Sequence, residues 1–240
     1  MKGKFYGIGV GPGDPELLTY KAVRILQEVD CVAVPVTERD KESTAYRIAA
    51  RFIKPEAALL KIDFPMTRDR ARLEEAWQQA CMGIRERLDL GQEAAFLTLG
   101  DPMLYSTYIY LYNHLEKAGY QVSTVPGINS FSAAAAMAGL PLAFGDEKVA
   151  LLPGAAVERM PAEELSGFET VVLFKVARCY DRIVGLLEAS GRLEGSVLVV
   201  SCGQPGERVI TDLKAIPGEE LSYFSLIISR KEPVLEWQNR

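Results

Sequence analysis

Four glycines at alternate positions close the first apolar run of this chain: Phe5-Tyr6-Gly7-Ile8-Gly9-Val10-Gly11-Pro12-Gly13-Asp14-Pro15. A helical pattern begins just beyond it, so the stretch predicts a strand, a backbone-exposing turn and a helix. In α/β proteins that arrangement offers main-chain N–H groups to small anionic or zwitterionic ligands. It is not the dinucleotide fingerprint Gly-x-Gly-x-x-Gly. Counted from Gly7, the third glycine is replaced by Pro12; counted from Gly9, by Asp14. Pro12 and Pro15 also lack the N–H groups that would hold a pyrophosphate. The loop is shaped for another ligand.

The strand–helix alternation continues through the first half. Apolar runs at 5–10, 31–35, 59–64, 93–99 and 121–125 predict strands, and helical spacing appears over 17–26, 43–52, 68–90 and 105–117. That is the pattern of a doubly wound parallel sheet. Residues 126–130 break the chain, and a short Ala-rich helix over 131–138 follows. The rhythm then changes to strands at 149–152, 170–176, 196–202, 208–211 and 224–229, with helices near 162–165 and 179–189. Gln204-Pro205-Gly206-Glu207 predicts a hairpin turn between two of these strands. The expected architecture is α/β in two domains: 1–122 with a mainly parallel doubly wound sheet, and 123–240 with a mixed sheet and helices.

Composition narrows the function. A net charge of −5 argues against a nucleic-acid partner, which needs a basic face. No apolar run approaches 18 residues, so no membrane span is expected. The N-terminus lacks a signal-peptide pattern, which points to the cytoplasm. Cys31, Cys81, Cys179 and Cys202 lie far apart with no Cys-x-x-Cys, so neither a metal site nor a redox motif is expected. The single histidine, His114, sits in an apolar helical pattern and reads as structural.

Two further loops stand where the first one does, after a strand. Thr98-Leu99-Gly100-Asp101-Pro102 places a carboxylate at a strand end, able to accept from a ligand or to cap the helix expected from 105. Pro126-Gly127-Ile128-Asn129-Ser130 adds a turn and two short polar side chains. Three such loops at the carboxyl ends of three strands predict one pocket.

These segments, with Phe174-Lys175-Val176 and Phe224-Ser225-Leu226-Ile227, resemble the tetrapyrrole (corrin/porphyrin) methyltransferases over essentially the whole chain. Within that family the stretches at 11–19, 105–107 and 126–135 look most like the branch that methylates carbon 20 of precorrin-2 or of its metallated counterpart, cobalt-factor II. The resemblance implies an S-adenosylmethionine-dependent C-methyltransferase of cobalamin biosynthesis. It implies a homodimer with the cofactor folded up between the two domains and a tetrapyrrole as substrate. It places Val10 and Pro12 on the pocket floor, and Gly100, Asp101 and Leu104 beside S-adenosylmethionine or its product S-adenosylhomocysteine. Asn129 and Ser130 follow in the third loop, and Lys175, Val176, Gly203, Phe224 and Ser225 add contacts from the second domain.

The substrate carries several carboxylates, so an acidic protein needs local cations. Arg39 and Lys41, in the loop after the second strand, are the candidates. No general base is assigned; Tyr105, beside Gly100-Asp101, is the catalytic candidate. Two alternatives are a relative acting at another carbon, and a nucleotide-binding dehydrogenase or regulatory module. The second would need the missing glycine spacing and an acid at the end of strand two, whereas Asp30 precedes that strand.

Overall fold

A computed structural model describes residues 2–233, except 38, 39, 66, 68 and 158. The chain divides into two compact units, Met1–Asn129 and Ser130–Arg240. The sequence pattern put the division at 122/123, but β5 (Gln121–Val125) pairs along β1 and completes the first sheet.

In the first unit, β1 (Lys4–Gly9), β2 (Cys31–Val36), β3 (Ala58–Asp63), β4 (Ala94–Thr98) and β5 form one sheet in the order β3-β2-β4-β1-β5. Every pairing is parallel. Strands buried on both faces need continuous apolar runs, and β4, Ala-Ala-Phe-Leu-Thr, is buried at all five positions. Helices α1 (Tyr20–Leu26) and α2 (Thr44–Ala49) cover one face through Ile25, Leu26, Ala45 and Ile48. On the other face, α3 (Arg70–Asp89) and α4 (Tyr108–Lys117) contribute Trp77, Ile84, Leu88, Leu111 and Leu115.

Two helix starts differ from the sequence pattern. The Asp69 carboxylate accepts from the N–H groups of Ala71 and Arg72, so α3 starts at Arg70 rather than 68. Helix α4 starts at Tyr108 rather than 105, because Tyr105 is left-handed (φ 51°) and the Ser106 hydroxyl accepts from the Tyr108 N–H. The helix pattern at 17–26 is likewise divided: Pro15–Leu17 is a single 3-10 turn, and the Thr19 hydroxyl caps α1.

The second unit begins with α5 (Ser130–Ala138). Strands β6 (Val149–Pro153), β7 (Thr170–Phe174), β8 (Ser196–Val200), β9 (Arg208–Ile210) and β10 (Ser225–Arg230) follow, in the order β6-β7-β10-β8-β9. β6 and β7 are parallel and the other pairings antiparallel, so the sheet is mixed. The hairpin at 204–207 joins β8 to β9 as its turn residues imply. A one-turn helix α6 (Gly154–Val157), not anticipated, leaves the end of β6, and α7 (Tyr180–Ala189) packs Tyr180, Ile183 and Leu187 into the core. Helix α5 packs on β8 and β10, with the Phe131 ring edge-on to Phe174 at 5.9 Å. The helix expected near 162–165 is a 3-10 segment, Ala162–Gly167.

Candidate functional site

All five strands of the first sheet end at one edge because they are parallel. From β1 the chain crosses β4 to reach β2, and from β4 it crosses β1 to reach β5. The connections leave in opposite directions, so the switch point lies between β1 and β4, where α/β sheets open a ligand crevice. The three glycine loops of the sequence meet at this place.

They are bound together by main chain. Gly11 and Gly100 form a two-way backbone bridge, with the Gly100 N–H donating to the Gly11 carbonyl at 2.8 Å and the Gly11 N–H returning at 3.3 Å. The Val10 N–H donates to the Thr98 carbonyl. Gly9 and Gly127 lie so close that a Cβ on Gly127 would come to 2.1 Å from the Gly100 oxygen and 2.8 Å from the Gly9 Cα. Gly100 differs: it holds φ +70°, and nothing stands within 4 Å of where a Cβ would project.

Asp101 supplies the ligament. One carboxylate oxygen accepts from the Gly127 N–H at 2.9 Å and the other from the Met103 N–H at 2.8 Å, tying the β4 loop to the β5 loop. It does not cap α4, whose N-cap is Thr107 without a side-chain cap bond. Below it, the Thr98 and Ser106 hydroxyls bond at 2.9 Å, and the buried Tyr108 hydroxyl meets Thr124 at 2.7 Å. Gly7 is required under the Tyr108 ring, which a Cβ would meet at 2.1 Å. Burial holds the Tyr108 phenol above its ordinary value, so it stays a neutral brace.

The other first-unit residues are placed as follows. The Val10 side chain is fully buried in the core against α1 and α2, so this residue presents backbone only. Pro12 is buried, Leu104 and Asn129 are half-buried, and Tyr105 is exposed. Lys41 is exposed after β2, in a loop braced by Asp40, which accepts from the Thr44 N–H at 2.6 Å. Arg39 lies outside the described residues.

In the second unit the residues named from the resemblance also gather at one sheet edge. β10 runs against β7 and β8, so its start lies beside their ends, with Leu226 opposite Phe174 and Ser225 opposite Val200. Lys175 follows β7 in a left-handed conformation, φ 56°, and Val176 is fully buried. Ser201 follows β8, also left-handed at φ 51°, and its N–H donates to the Phe224 carbonyl at 2.9 Å. The Gly203 N–H donates to Glu207, and the buried Ser225 hydroxyl donates to the Ser222 carbonyl. Ser130 starts α5 at its half-buried N-terminus.

Two signals escaped the sequence. The Asp101–Gly127 bond spans 26 residues, and left-handed Tyr105, Lys175 and Ser201 carry no glycine to betray them. All four cysteines are free and buried, and burial lifts the Cys81 thiol to about 11, so it holds no ready thiolate. His114 meets Glu74 at 3.3 Å between α4 and α3, away from the strand-end loops.

The architecture is a doubly wound parallel sheet with three strand-end loops joined at its switch point, where α/β proteins bind small ligands, followed by a mixed sheet with its own loop edge. Residues 4–217 match the family model for tetrapyrrole (corrin/porphyrin) methylases, and the chain belongs to that family. It is 33% identical over 235 residues, 97% of this chain and 98% of the relative, to a cobalt-precorrin-2 C(20)-methyltransferase of Salmonella typhimurium. Among solved structures it is similar to a cobalt precorrin-4 methyltransferase, with TM-score 0.77, 24% identity and 96% of each chain covered. It is also similar to a uroporphyrin-III C-methyltransferase of Thermus thermophilus solved with S-adenosylhomocysteine (TM-score 0.68, 23% identity, 98% of this chain and all of that one). The chain is a methyltransferase, and its two-sheet α/β fold is that of this family.

Proposed function

We propose that this protein transfers a methyl group from S-adenosylmethionine to carbon 20 of cobalt-factor II or precorrin-2, a step of cobalamin biosynthesis. The observation that carries the cofactor assignment is the convergence of three strand-end loops at the switch point of the sheet, joined by the Gly11–Gly100 bridge and the Asp101–Gly127 bond. The carbon-20 assignment rests on the full-length similarity to the Salmonella enzyme, in keeping with the motifs at 11–19 and 126–135.

When bound, S-adenosylmethionine would supply a methyl already activated on a sulfonium, and the acceptor carbon would give up a proton in exchange. Methyl transfer of this kind mainly requires holding donor and acceptor in line. Val10, Pro12, Gly100, Asp101, Leu104, Asn129 and Ser130 of the first unit, with Lys175, Val176, Gly203, Phe224 and Ser225 of the second, are the proposed cofactor contacts. Asp101 acts chiefly by fixing the Gly127 and Met103 backbone. Lys41 and Arg39 are proposed to take substrate carboxylates. Tyr105, exposed on the β4–α4 loop, is the candidate that acts at the reacting carbon. We further propose a cytoplasmic homodimer; no helix among the described residues is long and apolar enough to cross a membrane.

Titration calorimetry with S-adenosylhomocysteine tests the cofactor assignment. The expected result is binding in the low-micromolar range, about −8 kcal/mol. Absence of both heat and thermal shift with folded protein overturns it.

A further inference from the structure

The left-handed residue at the end of β7 is a lysine, and its backbone is held there by packing. Gly154 presses against it: a Cβ on Gly154 would come to 3.0 Å from the Phe174 oxygen and 3.1 Å from the Lys175 oxygen. Val176, next in the chain, is fully buried. Glycine adopts φ 56° without penalty and lysine does not, so the backbone alone does not call for a lysine here. Strain maintained at a strand-end loop points to use of the side chain.

That side chain is exposed, and its ammonium lies 5.6 Å from the centre of the Tyr223 ring. Tyr223 stands in the loop before β10 and is itself edge-on to Phe224 at 5.5 Å. Three lysines are neutralised by carboxylates: Lys54 by Asp30, Lys214 by Glu188 and Lys231 by Glu169. Among the described residues Lys175 is in no ion pair; Lys2 and Lys4 also lie over tyrosine rings, but of the lysines Lys175 alone is held left-handed, in a loop at a strand end. A cation over an aromatic face keeps its hydrogen-bond donors for a further acceptor, because the ring occupies none of them with a lone pair. In a protein of net charge −5, such a cation draws anions only locally.

We infer that the Lys175 ammonium, steadied on Tyr223, captures a ligand carboxylate at this edge. The inference rests on the methyltransferase reading, which offers two carboxylate sources: the amino-acid end of the methyl donor, or an acidic side chain of the tetrapyrrole. The chemistry is the same for both.

The test compares Lys175→Ala, Lys175→Gly and Lys175→Arg with the wild-type chain. If the donor's carboxylate is the partner, Lys175→Ala weakens S-adenosylhomocysteine about fivefold and leaves 5′-methylthioadenosine, which lacks that carboxylate, unchanged. If the tetrapyrrole's carboxylate is the partner, KM for cobalt-factor II rises about fivefold at unchanged S-adenosylhomocysteine affinity. In either case Lys175→Arg stays within twofold of wild type, and Lys175→Gly binds as weakly as Lys175→Ala while melting no lower than wild type. Affinity and KM both within twofold of wild type in Lys175→Ala and Lys175→Gly overturn the inference and reduce the lysine to a contact of Tyr223. A wild-type chain that neither binds S-adenosylhomocysteine nor turns over cobalt-factor II overturns the methyltransferase reading and this one together.

Discussion

The two loop edges solve one problem in opposite ways. At the first, three loops converge so closely that main chain meets main chain, and Gly9, Gly11, Gly100 and Gly127 make the approach possible. At the second, the tight turns after β7 and β8 are made by Lys175 and Ser201, side-chain residues in a conformation that glycine would adopt more cheaply. Glycine stands where backbone must approach backbone. Left-handed side-chain residues stand at both edges, Tyr105 in the β4–α4 loop of the first and Lys175 and Ser201 at the second, but only the first is closed by main chain of three loops in mutual contact. The first edge is thus held chiefly by main chain meeting main chain with the Asp101 carboxylate between, and the second by two turns that keep side chains.

The comparison is broken most severely at Gly127. Gly127→Ala would drive a Cβ into the Gly100 carbonyl and the Gly9 backbone, neither of which is a flexible side-chain end. We expect a loss of about 3 kcal/mol or more, read as a lower midpoint in urea. A variant of wild-type stability would show that the loops are not locked together.

Asp101→Ala comes next. It removes the acceptor shared by Gly127 and Met103, so stability should fall by about 1–3 kcal/mol and S-adenosylhomocysteine affinity should fall with it. Affinity lost at an unchanged melting temperature would make the carboxylate a direct ligand contact instead of a ligament.

Ser201→Gly sharpens the other side. Relief of the left-handed strain, offset by the greater entropy of glycine in the unfolded chain, should raise stability by about 0.5–1 kcal/mol. A fall would show that the Ser201 side chain contributes more than the strain takes away.

The smallest effect is an acid one, at the opposite end of the second sheet. The Lys148 N–H, and then Lys231, hold the Glu169 carboxyl at about 2, well below its ordinary value. A depressed folded-state value means stability present above the unfolded value near 4.5 and lost as pH falls toward 2. Glu169→Gln should therefore flatten the melting temperature between those limits, by lowering it slightly at neutral pH and leaving it nearly unchanged near pH 2. An unaltered acid slope would show that other carboxylates set it.

Much of this was legible in the sequence, and the reason is local chemistry. Apolar runs without alternation announced the buried parallel strands, and Gly-Pro punctuation announced the loops at their ends. What stayed hidden depends on distant partners or on conformations without a residue signature. Asp101 read as a ligand contact or a helix cap, because nothing local says that its partner is Gly127. The helix pattern beginning at Tyr105 gave no warning that this residue turns left-handed and delays α4 to Tyr108. Arg230, buried and paired with Glu147 across 83 residues, had no local signal either.

The central claim is methyl transfer to one carbon of one class of macrocycle. Its most direct measurement is incubation of the protein with cobalt-factor II, and in parallel with precorrin-2, using S-adenosylmethionine labelled with carbon-13 in the methyl group. The account predicts one added methyl on at least one of these substrates, with the label at carbon 20 in the product's NMR spectrum. Label at any other carbon, or no transfer to either substrate by protein that binds S-adenosylhomocysteine, would contradict it.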